Sequence, residues 1–466
     1  MMRFRRVVAV LPLFFILPPA ASRAADDVGA LRAELEALKA EYSNRVTALE
    51  ARITQLESAA AAASAAPAPL VAEAAPPPPG SPGRGGASAF NPAISMILAG
   101  EYASLSQDPA SYRIAGFIPS GGDIGPGLRS FNLGESELTV AANVDPYFFA
   151  NVTATITSGN QIAVEEAYFR TLALPSGFTL KGGRFLSALG YLNEVHAHAW
   201  DFVDQPLVYQ AFFGGQLAQD GVQLKWVAPT ETFVELGAET GNGGAFPGTH
   251  RNRNGLNASM LFTHVGGDVG DSASWRTGIS WLDERADDRL YMDTDDVGAP
   301  VTNAFTGTSR TWIADAILKW APHGDTTRQQ LKVQAEYLLR TEDGSLTFDV
   351  DGRGLAGDYR SQQSGWYLQS VYQFRPRWRA GARYDTMDSG DPPIGLVAAG
   401  VLPRAAFPTL LPASPDRFTL MLDWSPSEFT RLRAQYAWDD ARAALRDRQL
   451  FLQYLYGIGA HGAHKF

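Results

Sequence analysis

The chain has 466 residues, of which 45% are hydrophobic and 19% charged, a net charge of -10 and no cysteine. Without cysteine there is no disulfide framework, iron–sulfur site or thiolate chemistry, and an acidic chain lacks the clustered Lys and Arg that a nucleic-acid partner needs. The body of the sequence holds no apolar run of transmembrane-helix length, which excludes helical spans but not a membrane β-barrel, whose signal is alternation.

Residues 1–6 (MMRFRR) are basic, and 7–20 form a short apolar core broken by Pro12, Pro18 and Pro19. Small residues follow at Ser22 and Ala24, so 1–24 reads as a signal peptide cleaved after Ala24. Apolar positions then recur at Val28, Leu31, Leu35, Leu38, Tyr42, Val46, Leu49, Ile53 and Leu56. That is a heptad seam with one four-residue stutter, and it predicts a coiled coil over 25–58. Residues 59–90 are rich in Ala and Pro and form a semi-rigid linker. The remainder, 91–466, is the principal domain.

From Ala93 onward the dominant period is two. In 147–157, Phe148, Ala150, Val152, Ala154 and Ile156 alternate with Phe149, Asn151, Thr153, Thr155 and Thr157. In 330–340 the apolar set Leu331, Val333, Ala335, Tyr337 and Leu339 faces away from Lys332, Gln334, Glu336 and Arg340; in 417–424 Phe418, Leu420, Leu422 and Trp424 face away from Arg417, Thr419 and Asp423. Seven tight turns, such as Asp145-Pro146 and Pro426-Ser427, take turns with longer polar connections. The longer ones are placed at 107–129, 158–162, 186–220, 241–255, 284–309, 341–364, 388–415 and 439–447. About sixteen strands result: an all-β, transmembrane antiparallel β-barrel preceded by a coiled-coil helix and a Pro/Ala-rich linker. Nine of the ten Trp sort into two belts at opposite strand ends, the signature of two membrane–water interfaces; the tenth, Trp200, lies in the third long loop. The chain ends on Phe466 after an alternating segment, like the assembly signal of bacterial outer-membrane proteins.

Signal peptide, coiled coil, Ala/Pro linker and barrel together resemble the phosphate-selective porin O/P family and the related carbohydrate porins. Glu165-Glu166-Ala167-Tyr168 followed by GFTLKGGRF at 177–185 is similar to that family's paired strands ahead of the third loop. The resemblance implies a passive, homotrimeric diffusion channel in the Gram-negative outer membrane, with its N-terminal stalk in the periplasm. Its partners would be outer-membrane lipid, lipopolysaccharide and small solutes, with peptidoglycan reached through the coiled coil. Loop 186–220 lacks a Lys cluster, so phosphate selectivity is not expected.

Alternation assigns the inward cations Arg170, Arg379, Arg383, Arg417, Arg431 and Arg433 as pore-lining, together with Lys181, Lys225, Arg276, Lys319, Lys332 and Arg340. Inward acids include Glu137, Glu166, Glu235, Glu239, Asp315, Glu336, Asp385, Asp423 and Asp439. Five of the Arg fall on three consecutive strands. The third loop is expected to constrict the pore opposite them with Glu194, His196, His198, Asp201 and Asp204, setting a transverse field. Beside this stands a second reading, in which the Arg residues pair with neighbouring acids and stiffen the barrel.

Four of seven His lie in two pairs, His196/His198 and His461/His464. Paired imidazoles suit zinc or copper, although a site wants three or four ligands. These segments resemble a set of outer-membrane proteins described as zinc-related receptors, which makes a metal-related uptake protein one alternative to a porin; a barrel tethered to the cell wall by its coiled coil is the other. No cofactor is expected. A TonB-dependent receptor lacks its plug domain here, and no G-x-S-x-G supports an enzyme.

Overall fold

The computed structural model describes Lys39, Thr47 and residues 92–459, except 122–123, 158, 160 and 250–253. The expected signal peptide, the linker, Phe466, His461 and His464 lie outside the described residues, as does the heptad segment apart from Lys39 and Thr47, both helical. Among the described residues no helix is long and apolar enough to cross a membrane.

Seventeen strand segments join in one sheet: β1 (Ala93–Leu105), β2 (Ser130–Leu133), β3 (Ser136–Asn143), β4 (Phe148–Ile156), β5 (Ile162–Thr171), β6 (Phe178–Leu186), β7 (Ala218–Val227), β8 (Phe233–Gly241), β9 (Ala258–Val269), β10 (Ala273–Thr294), β11 (Pro300–Trp320), β12 (Gln330–Phe348), β13 (Leu355–Arg375), β14 (Trp378–Asp388), β15 (Asp416–Ser427), β16 (Thr430–Arg442) and β17 (Leu445–Gly459). Every pairing is antiparallel. β1 closes the barrel, holding β17 on one edge from Ser95↔Gly459 to Leu105↔Gln449 and both β2 and β3 on the other. β2 and β3 lie end to end against β1, so they form one stave and the barrel has sixteen. At their junction the amide of Ala99 donates to Ser136 Oγ at 3.0 Å and the amide of Gly134 to the Ala99 carbonyl at 3.1 Å, which keeps the ladder bonded across the break. A closed sheet leaves no edge of unpaired backbone, the condition for strands to cross hydrocarbon.

The alternation is realised as two faces. On β15, Phe418, Leu420, Leu422 and Trp424 are exposed, while Arg417, Thr419, Met421 and Asp423 are buried. On β17 the exposed set is Leu450, Leu452, Tyr454, Tyr456 and Ile458. The outer surface is therefore the apolar one, which is stable against lipid and not against water. Tryptophans meet across the ladder at two heights. Trp378 and Trp424 are register partners and stack at 5.7 Å near the short turns; Trp281 and Trp312 are partners at 6.4 Å nearer the other end. Trp312 to Trp320 spans roughly 27 Å along β11 at about 3.4 Å per residue. Tilted by about 40°, that is a band of roughly 20 Å, close to the apolar height of outer-membrane barrels.

Three expected long loops are strand instead. β10 and β11 continue pairing to Thr294↔Pro300, β12 and β13 to Phe348↔Leu355, and β16 and β17 to Arg442↔Leu445. The first two hairpins project beyond the upper Trp level and carry an apolar inner face: Tyr291, Phe305, Phe348 and Tyr359 are buried. The long connection 389–415 covers that face with Ile394, Leu396, Leu402, Phe407 and Leu410. Burial against this distant segment holds polar-looking sequence in strand conformation.

Candidate functional site: the loop inside the barrel

Residues 187–217, between β6 and β7, run inside the barrel. Their neck is tied first. The Asn193 amide donates to the carbonyls of Ser187 and Leu217 at 2.8 and 2.9 Å, and its oxygen accepts from the Leu217 amide at 2.8 Å. Wall carboxylates then take up backbone donors that a buried loop would otherwise leave unpaired. Glu239 of β8 accepts from the Ala188 amide at 2.9 Å and from the Ser187 hydroxyl, and Glu336 of β12 accepts from the Leu192 amide at 3.0 Å.

Pro206 precedes a short helix, α1 (Leu207–Phe213), all of whose residues are buried. Asp385 of β14 accepts from the Leu207 amide at 3.0 Å, and the Tyr209 hydroxyl donates to Glu336 at 2.7 Å. Leu207, Val208, Phe212 and Phe213 pack with inward apolar residues of the wall: Met260, Phe262, Leu282, Ile313, Leu338 and Met387. The lumen beside β9–β14 is thus filled by an apolar core, an arrangement that alternation alone does not reveal because only isolated inward positions are apolar.

The charged part of the loop is fastened directly to the Arg strands. Asp201 lies 2.9 Å from Lys332 Nζ and 3.0 Å from Arg379 Nη1. Asp204 lies 2.9 Å from Arg383 Nη2 and 2.6 Å from Arg417 Nη1. Arg433 donates to the Trp200 carbonyl at 2.6 Å; Arg431 donates to the same carbonyl at 3.2 Å and to that of His198 at 3.3 Å. Arg383, Arg417 and Arg433 are 1–3% exposed. The loop acids and the Arg wall, expected opposite one another at the constriction, meet here as contact ion pairs. The wall acids join the same network: Asp385 accepts from Arg383 Nε at 3.0 Å, and Asp423 pairs with Arg379. Burial alone would raise the Asp201 carboxyl, but Lys332 and Arg379 outweigh it and hold it far below the usual carboxylate range. Burial is likewise overcome at Asp204 by Arg417 and Arg383, and its carboxyl is also lowered.

The remaining candidates sit elsewhere. Arg170 lies over the Phe149 ring at 4.9 Å, half-buried, and does not join the Arg cluster. Glu194 is 3.9 Å from Lys181 Nζ. His196 and His198 meet an acidic wall. His196 Nδ1 is 3.0 Å from Glu165 and 3.5 Å from Glu137, its Nε2 is 3.2 Å from Glu166, and His198 Nδ1 is 2.7 Å from Glu137. Burial would lower the His196 imidazole, but its bonds to Glu165 and Glu166 raise it well above the ordinary histidine value. Glu165 is a site residue that strict alternation would have turned outward. In the β4–β5 ladder Thr153 pairs with Glu166 and Ala154 with Val164, so Glu165 is the extra residue of a β-bulge and both glutamates reach His196. Two successive acids in an amphipathic strand were the available signal.

Between the loop and the β1–β7 side of the wall lies a cavity of about 800 Å³. Glu101, Glu135, Glu165 and Asp204 line it, and its guanidinium, Arg184, forms a two-pronged pair with Asp220 at 2.6 and 2.9 Å.

No family model matches the chain. Solved structures similar to it include in-vitro folded OmpT, an outer membrane protein of Vibrio cholerae, in its trimer form (TM-score 0.47, 11% identity, 79% of this chain and 99% of that one). The outer membrane channel DcaP of Acinetobacter baumannii (0.44, 12%, 79% and 97%) and the anion-selective porin from Comamonas acidovorans (0.45, 8%, 79% and 99%) are similar at the same level. TM-scores below one half do not establish a shared fold, and the barrel stands on its own strand pairing. An uncharacterized protein of Aquifex aeolicus (strain VF5) is 32% identical over 361 residues, 72% of this chain and 70% of that protein. With that identity over more than two thirds of both lengths, the chain belongs to the same family as this Aquifex aeolicus protein.

Proposed function

We propose that the protein is an outer-membrane porin, a water-filled channel for passive diffusion of small hydrophilic solutes or ions, narrowed by its third long loop. The observation that carries this reading is the loop itself: 187–217 is tied inside a closed, lipid-facing barrel, and an open acidic cavity of about 800 Å³ remains beside it. The Arg residues of β14–β16 act here as fasteners, and the acids of the cavity set the selectivity. The proposal extends to a homotrimer, to a periplasmic N-terminal stalk over 25–90 and to contact of that stalk with peptidoglycan.

The test is single-channel recording in a planar bilayer under a KCl gradient. Stepwise conductance with a cation-preferring reversal potential is expected. Anion preference would return control of the constriction to Arg379, Arg383, Arg417, Arg431 and Arg433, and absence of conductance would remove the porin reading. Deleting 25–89 should leave conductance intact and reduce retention on peptidoglycan.

A further inference from the structure

The cluster at the acidic wall has a composition and an order that ion pairing of a loop does not require. His196, Glu165 and Glu137 converge, each offering one ligand atom, and the three atoms all lie within 4.8 Å of one another. His196 Nδ1 is 3.0 Å from the first carboxylate and 3.5 Å from the second. Ligand atoms at about 2.0–2.1 Å from a tetrahedral zinc stand about 3.3 Å apart, so these separations are already those of a coordination shell. The outer contacts fit too. His196 Nε2 lies 3.2 Å from Glu166 Oε2, and Glu166 is itself fixed by accepting from the Leu186 amide at 3.1 Å. That is the carboxylate–histidine arrangement that sets which ring nitrogen is free to bind a metal. Glu137, 3% exposed, is held through its other oxygen by His198 Nδ1 at 2.7 Å.

We propose that His196, Glu165 and Glu137 form a binding site for a divalent transition-metal ion of the zinc class, with Glu166 and His198 as positioning residues and a fourth position open to the lumen. Glu165 also lines the 800 Å³ cavity, so an ion in the lumen reaches the site from the water side. Three carboxylates stand around two imidazoles. The neighbouring ammonium, Lys181, lies over the rings of Tyr168 and Phe185 at 5.1 and 5.0 Å and 3.9 Å from Glu194. The β5 bulge is what makes the site, because it brings Glu165 to His196 alongside Glu166.

The experiment uses the untagged full chain, folded in detergent and stripped with a chelator. Zinc chloride is titrated calorimetrically and cobalt(II) is followed by visible absorption. One ion per chain is expected, with the intense absorption of low-coordinate cobalt. His196→Ala and the near-isosteric Glu165→Gln should each weaken binding at least tenfold, and Glu166→Gln should weaken it by about tenfold to a hundredfold without changing stoichiometry. His461→Ala/His464→Ala should leave it unchanged. Heat-dependent gel mobility checks each variant's folding, and Glu165→Gln carries the test if His196→Ala does not fold. No stoichiometric binding, binding unmoved by Glu165→Gln, or loss on removing His461 and His464 would overturn the site. Conductance of the stripped protein reports on the porin reading independently.

Discussion

Asp204 Oδ2 and Arg417 Nη1 meet at 2.6 Å inside the barrel, although 213 residues separate them in the chain. Arg417 is also 3.5 Å from Asp385 and 3.8 Å from Asp439, so Asp204 completes a cage of carboxylates around a buried guanidinium. Removing one member of a buried pair strands the other and costs about 3–5 kcal/mol. Asp204→Ala should therefore lower the temperature at which the folded gel band is lost. The freed loop should also add open-channel noise in bilayer recordings. An unchanged trace would mean that the apolar packing of α1 alone holds the loop.

The same pairs fix a pH response. The folded-state values of Asp201 and Asp204 are depressed. Their stabilising contribution is therefore fully present above the unfolded value of about 3.9 and is lost as pH falls through the lower folded values. Retention of the loop, read as open-channel noise at fixed KCl, should stay unchanged from pH 7 to about pH 4 and be lost only in more acid solution. A transition near neutrality would place the gate on other groups.

Gly190 has φ +61, and a β-carbon there would collide with the Glu336 carboxylate and lie 2.9 Å from the Tyr209 hydroxyl. Gly190→Ala adds backbone strain of about 1–3 kcal/mol at the point where the loop enters the lumen. The expected result is a folded barrel of lower melting temperature, with the loop cleaved faster by added protease.

Phe212 is fully buried, with the Arg340 guanidinium 4.4 Å from its ring centre. Phe212→Ala should destabilise the protein by about 3–5 kcal/mol through the cavity left behind. By opening space in the filled half of the lumen it should also raise single-channel conductance. Stability lost with conductance unchanged would show that this half carries no ion path.

The lipid face is tested at Leu420, which is exposed between the inward Thr419 and Met421. Leu420→Arg should cost about 2–4 kcal/mol near the bilayer midplane, read as reduced folding yield in vesicles under a urea titration. Thr419→Arg points into the lumen and should perturb conductance more than membrane folding.

Sequence and structure divide by the range of the interactions concerned. A two-residue period is local, so Phe418, Leu420, Leu422 and Trp424 identify the lipid face of β15 from their own segment. Short turns and Trp positions count the staves, and alternation places Arg379, Arg383, Arg417, Arg431 and Arg433 on three consecutive strands. What those guanidiniums do is not local. Whether Arg417 faces water or Asp204 depends on where the loop 187–217 lies, and that follows from the Asn193 neck and from burial of Phe212 and Phe213 against strands far along the chain. The extended hairpins of β10–β13 are decided in the same way, by the covering segment 389–415. Glu165 shows the limit most sharply. One extra residue in the β4–β5 ladder reverses the face of a side chain, and the cost of that bulge is set by the partner strand and by the loop histidine His196 that meets it.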